Sequence, residues 1–237
     1  MQQTSINEVT YTGAEEFLKS LQAKGFTNPT VTKTESVVES EFTTGKLTDA
    51  AHFPVNMKFI KSINSSGKVG IPDGTVIFGK GSVAGMPTLD SIASNELSEE
   101  YQSNLLQLLR TTFSQILLPE KQIKVGEEFI QQTPLVIPIG GVNIEMNITT
   151  TYKLMSIKNR IGNFDIVQSY TLKSNITKYT TKATGFGKGN LQYDIANSSY
   201  ISYSMYTDFS IDLEHEKFNL NVKSKSEILQ TTLITNN

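Results

Sequence analysis

The residues able to carry chemistry are few. The chain has two histidines and no cysteine, so thiolate nucleophiles, cysteine zinc sites and disulfides are excluded by composition. His52 stands in "TDAAHFP", three residues after Asp49, and a serine hydroxyl could complete a nucleophile, base and acid set with them. No G-x-S-x-G elbow presents such a serine. A surface histidine ahead of a strand is therefore the simpler reading, and a hydrolase using His52 the remote one. His215 sits in the acidic run "DLEHEK", which has no second imidazole nearby to build a tetrahedral metal site. It reads instead as a solvated hairpin turn with a Glu214 to Lys217 pair across it. No catalytic residue, metal site or cofactor is expected.

Gly185, Gly187 and Gly189 alternate in "TKATGFGKGNLQYDI". A phosphate-binding dinucleotide loop is a strand, then G-x-G-x-x-G, then a helix. Here Leu191, Tyr193 and Ile195 continue the glycines' own parity, so the segment is a strand. A three-residue loop at 197–199 would set Leu191 opposite Met205, Gly189 opposite Thr207, Gly187 opposite Phe209 and Gly185 opposite Ile211. An otherwise apolar face then carries a bare strip. Glycine within a strand marks a bulge, a bend or a close approach by something else. The strip is either covered by its neighbours or is part of a groove. The candidate ligand-binding residues are Gly185, Gly187, Gly189, Tyr193, Tyr203, Met205, Thr207 and Ser224. Substitution of Gly187 by valine tells the two apart, because a closely covered strip resists added volume.

The elements that must position these residues are mostly strands. In the strand leading into the turn at His215 the residues Ile201, Tyr203, Met205, Thr207, Phe209, Ile211 and Leu213 share one face, and Ser202, Ser204, Asp208, Ser210 and Asp212 the other. Such alternation belongs to an antiparallel sheet with one wetted face. A turn at His215 and Glu216 would pair Leu213 with Phe218, Ile211 with Leu220, Phe209 with Val222 and Thr207 with Ser224. A two-residue turn at Gly140 and Gly141 pairs Ile139 with Val142, Ile137 with Ile144 and Leu135 with Met146, all apolar. Segments 142–156 and 161–177 alternate similarly. Earlier strands are expected at 30–43, 53–63 and 68–80, with a turn at Ser65, Ser66 and Gly67.

Two helices are expected. The first, "TGAEEFLKSLQAKG", has Thr12 as cap, Glu15 as its capping-box partner and Gly25 as its stop. The second, 98–118, carries Tyr101, Leu105, Leu108, Leu109, Phe113, Ile116 and Leu117 on one face, with Ser98 as cap and Pro119 as terminator. That stripe requires a large apolar surface to cover it.

At 237 residues with 38% hydrophobic and only 19% charged residues, the chain can bury a sizeable core, and threonine, serine, asparagine and glutamine supply most of its polarity. A net charge of -2 provides no basic field for nucleic acid or an anionic membrane. No apolar run is long enough for a transmembrane segment. The start, "MQQTSINEVTYTG", reads as the beginning of a mature exported chain behind an added methionine.

In "LPEKQIKVGEEF" and "GFGKGNLQYDIANSSYISYSMYTDFSI" the chain resembles uncharacterised bacterial secreted proteins or lipoproteins with large antiparallel β domains. Their pattern is Leu-Pro-x-Lys-x-x-x-x-Gly before an acidic residue and an aromatic, then a Gly-x-Gly strand leading to Tyr/Phe-Asp. Leu118, Pro119, Lys121, Gly126, Phe129, Gly185, Gly187, Tyr193 and Asp194 fit it, with Phe129 where tryptophan is common. The resemblance spans roughly residues 53–232, implies export and β architecture, and supplies no activity. The general plan looks like the lipoprotein-carrier half-barrel, an open sheet plugged by a helix, which is an analogy of architecture only.

The expectation is a mainly β (α+β) chain of a single domain, 1–237. It divides into an N-terminal helical segment at 1–29, strands plus helix 98–118 within 30–118, and an antiparallel meander at 119–237. About nine strands form a long curved antiparallel sheet or half-barrel around the amphipathic helix. The leading function is an exported, non-enzymatic binding protein holding a lipid, another hydrophobic ligand or a protein partner segment between sheet and helix. The alternative is a structural or cell-surface interaction domain with a filled core. The expected location is periplasmic or cell-surface, with a lipid anchor on the natural precursor as one form of it.

Overall fold

The computed structural model describes residues 1–65, 70–82, 85–114, 122–139, 142–173, 180–197, 199–215 and 218–235. These form a mainly β fold of antiparallel strands with two helices. Contacts divide the chain into two units, one of Met1 with residues 35–121 and the other of residues 2–34 with 122–237.

In the first unit, β2 (Thr30–Thr44, entering from the other unit), β3 (His52–Asn64), β4 (Val76–Ser82) and β5 (Gly85–Ala93) pair in chain order. The alternation read in "FPVNMKFIKSI" is realised: Val55 and Phe59 are buried while Asn56, Lys58 and Ile60 are exposed. The amphipathic helix (Glu99–Ser114, called α2 below) starts where Ser98 Oγ accepts the Tyr101 N–H at 3.3 Å, satisfying one of the helix's unpaired N-terminal donors. Its Leu106 and Leu109 pack against the cluster of Phe59, Ile77 and Leu89. Arg110 fastens it to β5, donating to the carbonyls of Leu89 at 2.6 Å and Asp90 at 2.9 Å. The expected end of this helix, 115–118 with Pro119, lies outside the described residues, as does most of the expected turn at Ser65.

The second unit opens with β1 (Gln2–Gly13) and α1 (Glu15–Ala23). β1 corrects the expected N-terminal helical segment: a strand precedes the helix because it pairs along its whole length with β11 (Phe218–Thr231). Thr12 belongs to that strand, so Ala14 takes the cap position without a side-chain bond. Gly25 does stop the helix: at φ +83 it adopts the left-handed conformation, and the Phe26 N–H returns to the Leu21 carbonyl at 3.1 Å. A second correction concerns the segment expected at 68–80, whose strand begins only at Val76 because Gly74, at φ +82, turns the chain just before it.

The remaining strands are β6 (Glu128–Ile139), β7 (Val142–Lys158), β8 (Ile161–Leu172), β9 (Thr180–Asp194) and β10 (Ser199–His215), and the unit's order is β1-β11-β10-β9-β8-β7-β6. The β6 to β7 pairing is the one expected, Leu135 opposite Met146 and Ile137 opposite Ile144, although Gly140 and Gly141 themselves lie outside the described residues. Asn159 and Arg160, both at positive φ, make the tight turn from β7 to β8. All seven strands contribute side chains to one apolar cluster, built on buried Ile144, Met146, Tyr170, Ile211, Leu213 and Leu220, with Val9 of β1 and Leu135 of β6 packed on it. Strands from both ends of the order share a cluster because the sheet curves around its own inner face.

Ile211 is wholly buried in that cluster. Ile211→Ala is expected to lower unfolding stability by about 2–5 kcal/mol in a denaturant titration, the usual cost of a core cavity.

Candidate functional site

The three glycines sit on the inner face of the second unit's strands, on the face expected but opposite different partners. Gly189 pairs with Met205, Gly187 with Thr207 and Gly185 with Phe209. Each expected pairing is corrected by two residues. The reason is local: β9 and β10 first pair at Asp194 and Ser199, and a bulge between Tyr200 and Ser202 absorbs one residue. The Asp194 carboxylate shapes the connection by accepting the N–H groups of Ala196 at 2.9 Å and Asn197 at 3.1 Å, and the Asn197 side chain at 2.8 Å.

The next hairpin is also displaced by two. His215 pairs with Phe218, so Phe209 faces Ser224 and Thr207 faces Ser226 instead of Ser224. The expected turn residue Glu216 and the expected partner Lys217 lie outside the described residues.

What lies on the strip follows from the space beside each glycine. A Cβ on Gly185 would stand 2.5 Å from Phe209 Cβ and 2.9 Å from its Cα. One on Gly187 would meet Met205 Cε at 2.5 Å and Gln168 Oε1 at 2.9 Å, and one on Gly189 would collide with the Ser204 carbonyl. Neighbouring strands therefore occupy the room that the missing side chains leave.

Through Gly187 runs a polar rung across the sheet: Ser5, Ser226, Thr207, Gly187, Gln168, Thr150 and Gln131 stand side by side on successive strands. Gln168 donates to the Thr150 hydroxyl at 3.1 Å and accepts from the Tyr170 hydroxyl at 3.0 Å. On one side lies the large apolar cluster; on the other lie Ile166, Leu191 and Met205 with Tyr152, Phe164, Tyr200 and Tyr203. Among the described residues, the hydroxyls of Thr181 and Ser226 are buried without a hydrogen-bond partner.

The tyrosines expected at the site gather at the second cluster. Tyr193 meets Tyr200 edge-on, with ring centroids 5.6 Å apart. Burial pushes the Tyr203 phenol up to about 12, with the nearby Tyr152 and Tyr170 adding to it. Tyr200 is raised further for the same reason.

His52 Nδ1–H donates to the Asp49 carboxylate, with both of its oxygens at 3.0 Å. The same carboxylate takes the backbone N–H groups of Ala51 at 2.8 Å and His52 at 2.9 Å. These bonds, the Ala51 one foremost, hold Asp49 below the usual carboxylate range. The group is a loop staple in solvent. Among the described residues no three histidine, aspartate or glutamate side chains cluster to hold a metal, and no helix is long and apolar enough to cross a membrane.

A depression of about 650 Å³ lies on the opposite, outer face of the same sheet, across β1, β11, β10, β9 and β8. Asp165, Val167, Lys188, Asn190, Ser204, Tyr206 and Glu227 line it. A smaller one of about 300 Å³ continues along Asn163, Gln192 and Ser202. Asn190 donates to Asp165 at 3.0 Å, Gln192 to Asn163 at 3.1 Å and Asn163 to Ser156 at 3.2 Å, so the amides are held in place. Val167 and Leu229 in the lining are 58% and 47% exposed, and Phe186, half exposed, stands against the lining residue Tyr206. Reading the inner face alone misses these residues. The available signal is Phe186 itself, an aromatic at the solvent parity of β9 between Thr184 and Lys188.

No protein-family model, curated protein or solved structure matches this chain. The resemblance to secreted β-domain proteins therefore rests on its own motifs.

Gly185→Ala is expected to destabilise the protein by about 1–3 kcal/mol, because the new methyl meets backbone atoms. Gly187→Ala should cost less, since the end of Met205 can swing aside; equilibrium denaturation of both variants checks the order. For Tyr203 the folded pKa lies above the unfolded value of 10.0, so its contribution to stability is complete below pH 10 and lost as pH rises through about 12. Absorbance titration of phenolate in Tyr203→Phe against the parent should remove a late-ionising group.

Proposed function

We propose that the protein is a non-enzymatic interaction module with a filled interior, which binds from the outer face of its second unit's strands. The closure of the glycine strip by Phe209, Met205 and Gln168 carries this reading, because it takes up the room in which a hydrophobic ligand was expected to lie. The staple geometry of His52 and Asp49 favours it over hydrolysis. The outer face supplies what an interaction surface needs, side chains held by cross-strand bonds beside exposed apolar groups. Export to a periplasmic or cell-surface location agrees with the sparse charge and the secreted-protein resemblance, and forms part of the proposal.

Native mass spectrometry of the purified chain, before and after organic extraction, tests the filled interior. The expected result is the mass of the polypeptide alone and no uptake of added fatty acid or phospholipid. A stoichiometric apolar adduct lost on extraction would restore the carrier reading.

A further inference from the structure

We propose that the outer depression of the second unit binds a neutral oligosaccharide, an assignment that rests on the exterior-binding reading above. The argument starts from the valences left open. Asn190 gives one N–H to Asp165 at 3.0 Å and Gln192 gives one to Asn163 at 3.1 Å. Each amide has a second N–H and a carbonyl oxygen, and a carboxylate has more acceptor sites than one bond uses. The floor thus offers donors and acceptors in alternation, fixed before any ligand arrives, which lowers the ordering cost of binding.

Beside this floor stand two rings. Phe186 is half exposed, and its centroid lies 6.0 Å from that of Tyr206, whose hydroxyl is anchored on Asp208 at 3.2 Å. An aromatic face is electron-rich and receives the polarised C–H face of a sugar ring, while the sugar's hydroxyls, at once donors and acceptors, match planar amides and a carboxylate. A volume of about 650 Å³ suits a short oligomer.

Charge narrows the class. Lys188 stands with Asp165 and Glu227 in the lining, so there is no positive field to draw a phosphate or a nucleic acid. Val167 and Leu229 share the lining with Asp165, Lys188, Asn190 and Glu227, and a lipid chain laid there would leave those polar groups without partners.

The test is calorimetric titration of the full chain with hexasaccharides of glucose, mannose, xylose and N-acetylglucosamine. At least one is expected to bind. Asn190→Ala and Phe186→Ser should each weaken it roughly tenfold, the loss of one good contact. Phe78→Ser, at an exposed position of β4 in the first unit, should leave it unchanged. Absence of binding by all four at millimolar concentration overturns the assignment, as does binding that Asn190→Ala and Phe186→Ser both leave at the parent's affinity. A polypeptide-only native mass alongside such a failure would sink the sugar assignment and keep the filled interaction module. An apolar adduct would sink both.

Discussion

The inner face of the second unit's strands depends on three missing Cβ atoms. Neighbouring strands in a sheet are only about 4.8 Å apart, so a side chain can lean across the next strand only where that strand carries none. β9 offers this at Gly185, Gly187 and Gly189, and Phe209 and Met205 of β10 use it. The two apolar clusters on either side can then approach along the strip with ordinary side chains. Glycine weakens a strand by its conformational freedom, and here close packing over the backbone offsets that loss.

The polar rung through Gly187 limits how this face can be assembled. Thr150 is almost wholly buried, and Gln168 satisfies it while being held by Tyr170. Sliding a strand by two residues keeps every side chain on its face but moves Gln168 or Thr207 out of the rung and into an apolar row. The unmade hydrogen bonds of a buried amide oppose that slide. Apolar contact alone is tolerant of such a shift, so the polar rung contributes register where hydrophobicity cannot.

The outer face has a different economy of contacts. Lys225 with Asp208 at 3.4 Å, Lys182 with Glu214 at 3.5 Å and Lys223 with Glu8 at 3.6 Å are mostly solvent-exposed pairs that contribute little stability apiece. Their effect is to keep the sheet's wetted side balanced in charge. Against that background Val167 and Leu229 stand exposed in the lining of the depression, and Phe186 stands against the Tyr206 ring at its side.

Local pattern alone determined the kinds of element and their faces. The stripe of α2, the cap at Ser98, the stop at Gly25 and the parity of β8, β9 and β10 all follow from periodicity and from which residue tolerates a helix end. The β6 to β7 register was legible too, since a two-residue Gly-Gly turn leaves one pairing in which every apolar residue meets another. β1 was not, because of its inner positions only Val9 and Tyr11 are apolar while Gln3, Ser5 and Asn7 break the alternation, and the segment becomes strand by pairing with β11. The two later hairpins each slid by two, a displacement that preserves parity and is therefore invisible to a hydrophobic pattern. Only the tertiary structure decided those registers, through a bulge at Tyr200 and the hydrogen-bond needs of a buried polar rung, and with them whether the glycine strip is a groove or is filled.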